Sequence, residues 1–203
     1  MTTTSAQTLF LARHGETGPV LRGRYVGTLD PPLAGRGPWQ ATLLAERLTG
    51  LRPQCCLASP LQRCRQTAAI IAEAVGCPVE VEGDLREIDF GRWEGRSFAE
   101  IEASDPDLVR LWAAGLEDFR FPEGEAVAAF NERVRDVLDR IRGRAEERIL
   151  VVSHGGVIRV MLCLLLGLDP RHGFAFAVEP AGLAVVECWG ERGRLVTLDN
   201  ERG

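Results

Sequence analysis

The sequence predicts an α/β protein built on a central sheet covered on both faces, and three observations predict it. Thr8 to Ala12 is a short apolar run bounded by polar residues, the pattern of a strand buried on both sides. Ile149 to Ser153 repeats that pattern more clearly. Both runs end at a histidine followed by glycine, at His14-Gly15 and at His154-Gly155-Gly156, and amphipathic helical stretches separate the strands.

Taken in order, the first strand delivers Arg13 and His14 to its carboxyl end, the edge at which open α/β sheets bind ligands. Gly15 lets the backbone turn tightly there. By themselves these residues also read as a polar strand terminus. A glycine- and proline-rich loop follows from Gly18 to Gly37, carrying Arg22, Arg24, Tyr25 and the Asp30-Pro31-Pro32-Leu33 turn. So long a connection without regular structure is more often functional than not.

Ala41, Leu44 and Leu48 recur at helical spacing from Pro38 to Leu48, and Cys55 to Ala58 reads as a second buried strand. Ser59-Pro60 predicts a helix start with serine as the cap, and Leu61, Cys64, Ala68, Ile71 and Val75 form its apolar stripe. Arg63 falls in the first turn of that helix. Read alone it is a solvated helix arginine; read with Arg13 it is a second guanidinium at the same rim.

Val79 to Val81 is a short strand. It leads into Leu85 to Gly95, a loop with charges set among bulky apolar groups, in which Glu87 and Asp89 are both candidate proton donors and both readable as surface residues. Ser97 to Leu116 holds helical segments broken at Asp105-Pro106, and Phe119 to Gly124 is a loop with two aromatics. The stretch of about 97–125 reads as a lid inserted between sheet elements. Val127, Phe130, Val134, Val137 and Ile141 mark a long helix ending near Gly143, and Val157 to Leu166 predicts another. Parallel packing of the two histidine-ended strands brings both rings to one rim. His172, in a loop after Pro170, reads as surface. Phe174 to Asp199 reads as two or three strands completing the sheet, with no linker to a second domain.

Composition narrows the chemistry. The 203 residues fit one domain, and a formal net charge of -5 argues against nucleic acid as a partner. All 24 basic residues are arginine, which excludes Schiff-base chemistry and a phosphate-loop lysine and leaves guanidinium forks for anions. The six cysteines show no metal-finger spacing and suit reduced core thiols. Met1 to Gln7 carries no secretory pattern, and Val160 to Leu168 is too short to span a bilayer. The expectation is a cytoplasmic protein, monomer or homodimer, with no membrane partner.

Two arginines, two histidines and an acidic loop at one sheet edge suit a phosphoryl group. A neutral imidazole attacks phosphorus, and nearby arginines favour the neutral form by repelling the imidazolium. A carboxyl group is needed to protonate the departing oxygen; a metal or other cofactor is not.

The blocks Leu11 to Thr17, Ser59 to Ala68, Leu85 to Gly95 and Val152 to Gly156 resemble, in order, the four signature blocks of the histidine phosphatase (phosphoglycerate mutase-like) superfamily. The resemblance implies a three-layer α/β/α sandwich with a mostly parallel sheet. It implies His14 as the nucleophile that becomes phosphohistidine, Arg13, Arg63 and His154 as holders of the phosphoryl oxygens, and Glu87 as the acid and then the base. It brings Thr17, Arg24, Tyr25, Gly155 and Gly156 into the expected substrate-binding set. One departure stands out: members often carry an asparagine where this chain has Val20, and Arg24 is the candidate replacement for that phosphate contact. The 85–95 and 121–125 stretches resemble the phosphatase branch, α-ribazole phosphatases in particular. The implied activity is a metal-independent phosphomonoesterase acting on a small organic phosphate ester. A phosphoglycerate mutase, a regulatory module that binds phosphorylated ligands without turnover, and, weakest, a metallohydrolase are the alternatives.

Overall fold

The computed structural model describes residues 7–115 and 118–200. Its core is one six-stranded sheet: β1 (Gln7–Arg13), β2 (Cys55–Ala58), β3 (Val79–Val81), β4 (Arg148–Ser153), β5 (Leu183–Trp189) and β6 (Arg192–Asp199), in the spatial order β3-β2-β4-β1-β5-β6. The pairs β3–β2, β2–β4 and β4–β1 are parallel; β1–β5 and β5–β6 are antiparallel. The expected mostly parallel sheet is therefore present, with a two-stranded antiparallel edge.

Helices cover both faces because the central strands are apolar on both. Alternation along β1 sends Leu9 and Leu11 to one side and Phe10 and Ala12 to the other. The Phe10 face packs on α1 (Gly37–Thr49) and α2 (Gln62–Val75) through Leu44, Leu48, Cys64, Ala68 and Ile71. The Leu9 face packs on α5 (Val127–Arg142) and α6 (Gly155–Leu165) through Phe130, Val134, Val137, Ile158 and Met161. This is a three-layer α/β/α sandwich.

Between β3 and α5 the chain forms α3 (Phe98–Ser104) and α4 (Pro106–Ala113), broken at Asp105 as the sequence predicts. α3 begins with a capping box: Ser97 accepts from the Glu100 amide while Glu100 accepts from the Ser97 amide. The insertion packs on the α5/α6 side through Trp93, Ile101, Val109, Phe119 and Phe121, all buried. Leu116, the expected end of the helical stretch, and Met1 to Ala6 lie outside the described residues.

Three expectations need correction. Helix α2 starts at Gln62, not at Ser59: its N-cap position is Leu61, without a side-chain cap, and Asp30 Oδ1 from the long loop accepts from the Gln62 amide at 2.6 Å. The Ser59 hydroxyl is drawn instead to His154. Helix α6 starts at Gly155, so both glycines are helical and His154 is the N-cap residue. Phe174 lies in a 3-10 turn, Pro170–Ala175, and the closing strands begin only at Leu183. Within the described residues the cysteines are free thiols, Cys77 half-buried and the other five buried, and no helix is long and apolar enough to cross a membrane. Burial raises the Cys55 and Cys188 thiols to about 11, so both stay protonated at neutral pH.

Candidate active site

Parallel pairing sets Arg13 beside Ser153 in the register of β1 and β4, so His14 and His154 leave the sheet at the same edge. Their ring centroids are 5.2 Å apart at 64°. The backbone holds His14 on both sides, its amide donating to Ser153 O at 3.0 Å and its carbonyl accepting from the Ala181 amide at 3.0 Å. An added Cβ at Gly15 would stand 2.5 Å from Gly37 O, so only glycine permits this close passage between the β1 end and α1.

The His14 ring is oriented by its own neighbour: Nδ1 lies 2.7 Å from Gly15 O. A carbonyl oxygen only accepts, so Nδ1 carries the proton and Nε2 keeps its lone pair. Burial, then the charges of Arg13 and Arg63, hold the His14 pKa well below 6.5, against a smaller opposing effect of the Gly15 bond. His154 is lowered likewise, first by burial, then by His14, Arg63 and Arg13. Its Nε2 is 2.7 Å from Ser59 Oγ, and the Cys64 sulfur packs 3.4 Å from the same nitrogen.

Arg63 is buried and Arg13 half-buried, and both are strapped to carbonyls. Arg13 Nη1 donates to Val178 O at 2.6 Å; Arg63 donates to Leu29 O (2.7 Å), Gly27 O (3.0 Å) and Val26 O (3.3 Å). What remains is the decisive feature. Arg13 Nε and Arg63 Nε are, among the described residues, the buried side-chain nitrogens or oxygens that have no hydrogen-bond partner. Each such orphan costs about 1–3 kcal/mol, and both belong to guanidiniums whose charge acts on His14.

Glu87 is buried, with Oε2 accepting from the Gly156 amide at 2.9 Å and Oε1 from its own neighbour Ile88 at 3.1 Å. Its loop is pinned from two sides. Ser153 Oγ donates to Leu85 O at 2.8 Å, and Arg133 of α5 donates to Asp84 O and Arg86 O while forking onto Glu125. Asp89 is spent locally, its Oδ1 accepting from the Gly91 amide at 2.8 Å, and it is absent from the cavity wall described next.

A cavity of about 1130 Å³ opens on this edge. Of the expected site residues, Arg13, His14, Thr17, Arg24, Tyr25, Glu87, Gly155 and Gly156 line it. Arg63 and His154 do not; they lie fully buried in the layer behind His14. Arg24 reaches the wall, but its guanidinium is engaged by Gly95 O and Glu100 at 2.8 Å and by Val20 O at 3.1 Å, which ties the loop to the α3 cap rather than to the phosphate position proposed for it. Val20 itself is 80% exposed and off the cavity wall.

Two residues with evident roles were missed in the sequence. Glu94 accepts from the amides of Gly27, Thr28, Leu29 and Phe90, which turns the neighbouring carbonyls toward Arg63. Thr67 Oγ1 accepts from the Gly15 amide and donates to Arg63 O, linking α2 to the nucleophile's turn. A half-buried carboxylate within a turn and a helical threonine carry no local signal of such partners.

The sequence matches the family model described as Histidine phosphatase superfamily (branch 1) over residues 9–201. The chain belongs to the histidine phosphatase superfamily. Among its relatives, Phosphoserine phosphatase 1 of Hydrogenobacter thermophilus is 36% identical over 94% of this chain and 91% of the relative. A protein named "Probable phosphoglycerate mutase GpmB" from Erwinia tasmaniensis is 35% identical over 79% and 75%. Among solved structures, the alpha-ribazole phosphatase of Shigella flexneri superposes with a TM-score of 0.86 at 28% identity, covering 96% of each chain. As a member of this superfamily the chain belongs with phosphatases and mutases.

Proposed function

We propose that this protein is a phosphomonoesterase working through a phosphohistidine on His14 Nε2, without a metal. The observation that carries the reading is the pair of orphaned guanidinium Nε groups. Two buried N–H donors in need of acceptors, on two positive charges beside an imidazole with a free lone pair, match a phosphoryl group. Guanidinium charge takes the place of a Lewis acid.

In the first half-reaction His14 Nε2 attacks phosphorus, the ester P–O bond breaks, and Glu87 gives its proton to the departing oxygen. In the second, Glu87 takes a proton from water, the oxygen attacks phosphorus, the P–N bond breaks, and orthophosphate leaves with His14 neutral again. Arg13 holds the phosphoryl oxygens from the cavity wall, Arg63 and His154 act on them from the buried layer behind His14, and Thr17, Gly155 and Gly156 line the approach. The segment 97–125 acts as a lid, a reading supported by Trp112 and Phe121 standing on the cavity wall. The free thiols support a cytoplasmic location.

α-Ribazole 5′-phosphate heads the candidate substrates. A phosphoglycerate mutase is the second reading, favoured by the relative that bears that name. Incubation with a phosphorus-labelled ester tests the proposal. Label is expected on His14, stable in base and lost in acid, absent from His14→Ala, with turnover unchanged by EDTA; an EDTA-sensitive rate or unlabelled active enzyme overturns it. Conversion of 3-phosphoglycerate to 2-phosphoglycerate, rather than to glycerate and phosphate, marks the mutase.

A further inference from the structure

The cavity is far larger than a phosphate needs, and its walls are unequal. Six of the chain's thirteen aromatic side chains line it: Tyr25, Phe90, Trp112, Phe121, Phe130 and Phe174. Most are locked edge to face, with Tyr25–Phe90 and Phe90–Phe121 centroids at 5.0 Å, Tyr25–Trp112 at 6.0 Å and Trp112–Phe174 at 5.9 Å. The wall thus runs as a continuous ring ladder from the long loop, through the insertion, to the turn after α6.

Phe174 ends that ladder 75% exposed, packed on Trp112 from one side with the Arg159 guanidinium 5.6 Å from its ring. An aromatic ring left in water forgoes about 1.5–3 kcal/mol of burial, and one that also lines a cavity is a surface awaiting cover. Half of the arginines on the charged side of the cavity are already paired with carboxylates. Arg22 is paired with Glu16, Arg24 with Glu100 and Arg171 with Asp169, while Arg159 donates to Phe176 O. Apart from Arg13, the rim arginines without a carboxylate partner among the described residues are Arg36, exposed and stacked on Trp39, and Arg159. A carboxylate beside the phosphate, as in serine or glycerate phosphates, has Arg159 and Arg36 to meet, whereas a large apolar group meets the whole aromatic wall.

We propose that the phosphoryl donor is a monoester of a bulky alcohol bearing a flat aromatic group, with Trp112 and Phe174 as the residues that select it, an inference that rests on the phosphatase reading above. The phosphate sits at His14, and the organic group lies along the ladder and covers Phe174. Asn131, on the same wall and with no hydrogen-bond partner for its carboxamide among the described residues, offers one polar contact to that group.

The test uses primary alkyl phosphates, so that leaving-group acidity stays matched: 2-(naphthyl)ethyl phosphate, α-ribazole 5′-phosphate, ethyl phosphate, phosphoserine and 3-phosphoglycerate. The wild type should favour the first two by at least tenfold in kcat/KM. Phe174→Ala and Trp112→Ala should each raise KM for those two roughly tenfold while leaving kcat/KM for ethyl phosphate within about twofold, a split worth 1.4 kcal/mol per decade. Trp112→Phe should restore most of the loss. Equal or better turnover of phosphoserine or 3-phosphoglycerate, or variants that lower all substrates alike, overturns the assignment while the phosphatase stands. Absence of phosphohistidine with every ester removes the phosphatase reading itself.

Discussion

The Gly156 amide donates to Glu87 Oε2 at 2.9 Å, and this one bond joins the first turn of α6 to the loop after β3. It sets the carboxyl group against the same helix start that follows His154. A side chain at 156 would place its Cβ 2.4 Å from Glu87 Oε1, whereas one at 155 would meet the Arg13 guanidinium at an ordinary 3.5 Å. Gly156→Ala should therefore lower kcat roughly 100-fold by displacing Glu87, since about 1 Å of misplacement costs that much. Gly155→Ala should stay within a few-fold, and steady-state kinetics on both variants checks the contrast.

Glu87 and Asp89 are separated by the same measurement. Glu87→Gln should slow turnover by roughly 10²- to 10⁴-fold, most for alkyl esters whose alkoxide needs a proton. Asp89→Asn keeps an oxygen for the Gly91 amide and should leave turnover nearly unchanged. Comparing alkyl with nitrophenyl phosphates checks the assignment, and a larger loss in Asp89→Asn would mean that the wrong acid is named.

Both site histidines are neutral in the folded protein well below pH 6.5. Phosphorylation of His14 should thus persist through pH 6 and fall only on a more acidic limb, which rapid-quench labelling measures. Stability moves with the same protons. Below pH 6.5 the unfolded histidines bind protons that the folded ones refuse, so stability is full above that pH and falls as pH drops, by about 1.4 kcal/mol per unit for each ring until its folded pKa is reached. Thermal melts from pH 7 to 5 should show the decline, and His14→Asn should flatten part of it.

Glu94 acts through Arg63. Its carboxylate collects the amides of residues 27–29, and the carbonyls of Val26, Gly27 and Leu29 receive the guanidinium. Glu94→Gln keeps one acceptor oxygen and should weaken inhibition by inorganic phosphate roughly tenfold while the protein stays folded. Unchanged phosphate inhibition, with only a lowered melting temperature, would assign Glu94 to folding alone.

Much of this was legible in the chain. Strands β2 and β3 fall on the residues that apolar runs and turn signals mark, and the α3/α4 break falls at Asp105-Pro106. Ser59 misled, because a serine before a proline is a good cap by local rules, yet its hydroxyl found His154, 95 residues away. Arg24 reads from the sequence as a phosphate contact, yet its guanidinium is engaged by Glu100, 76 positions away.

By itself the sequence determined the layered α/β class and the nucleophile candidate, because side-chain alternation, helical periodicity and a histidine at a strand end are properties of neighbouring residues. Only the tertiary structure decided that Nδ1 of His14 is the protonated nitrogen, that Glu87 rather than Asp89 faces the cavity, and that Glu94 gathers the loop whose carbonyls receive Arg63. Those outcomes depend on partners distant in the chain, such as Gly27 and Glu94, 67 positions apart. Hydrogen bonds of that span exist only once the sheet has brought its loops to one edge.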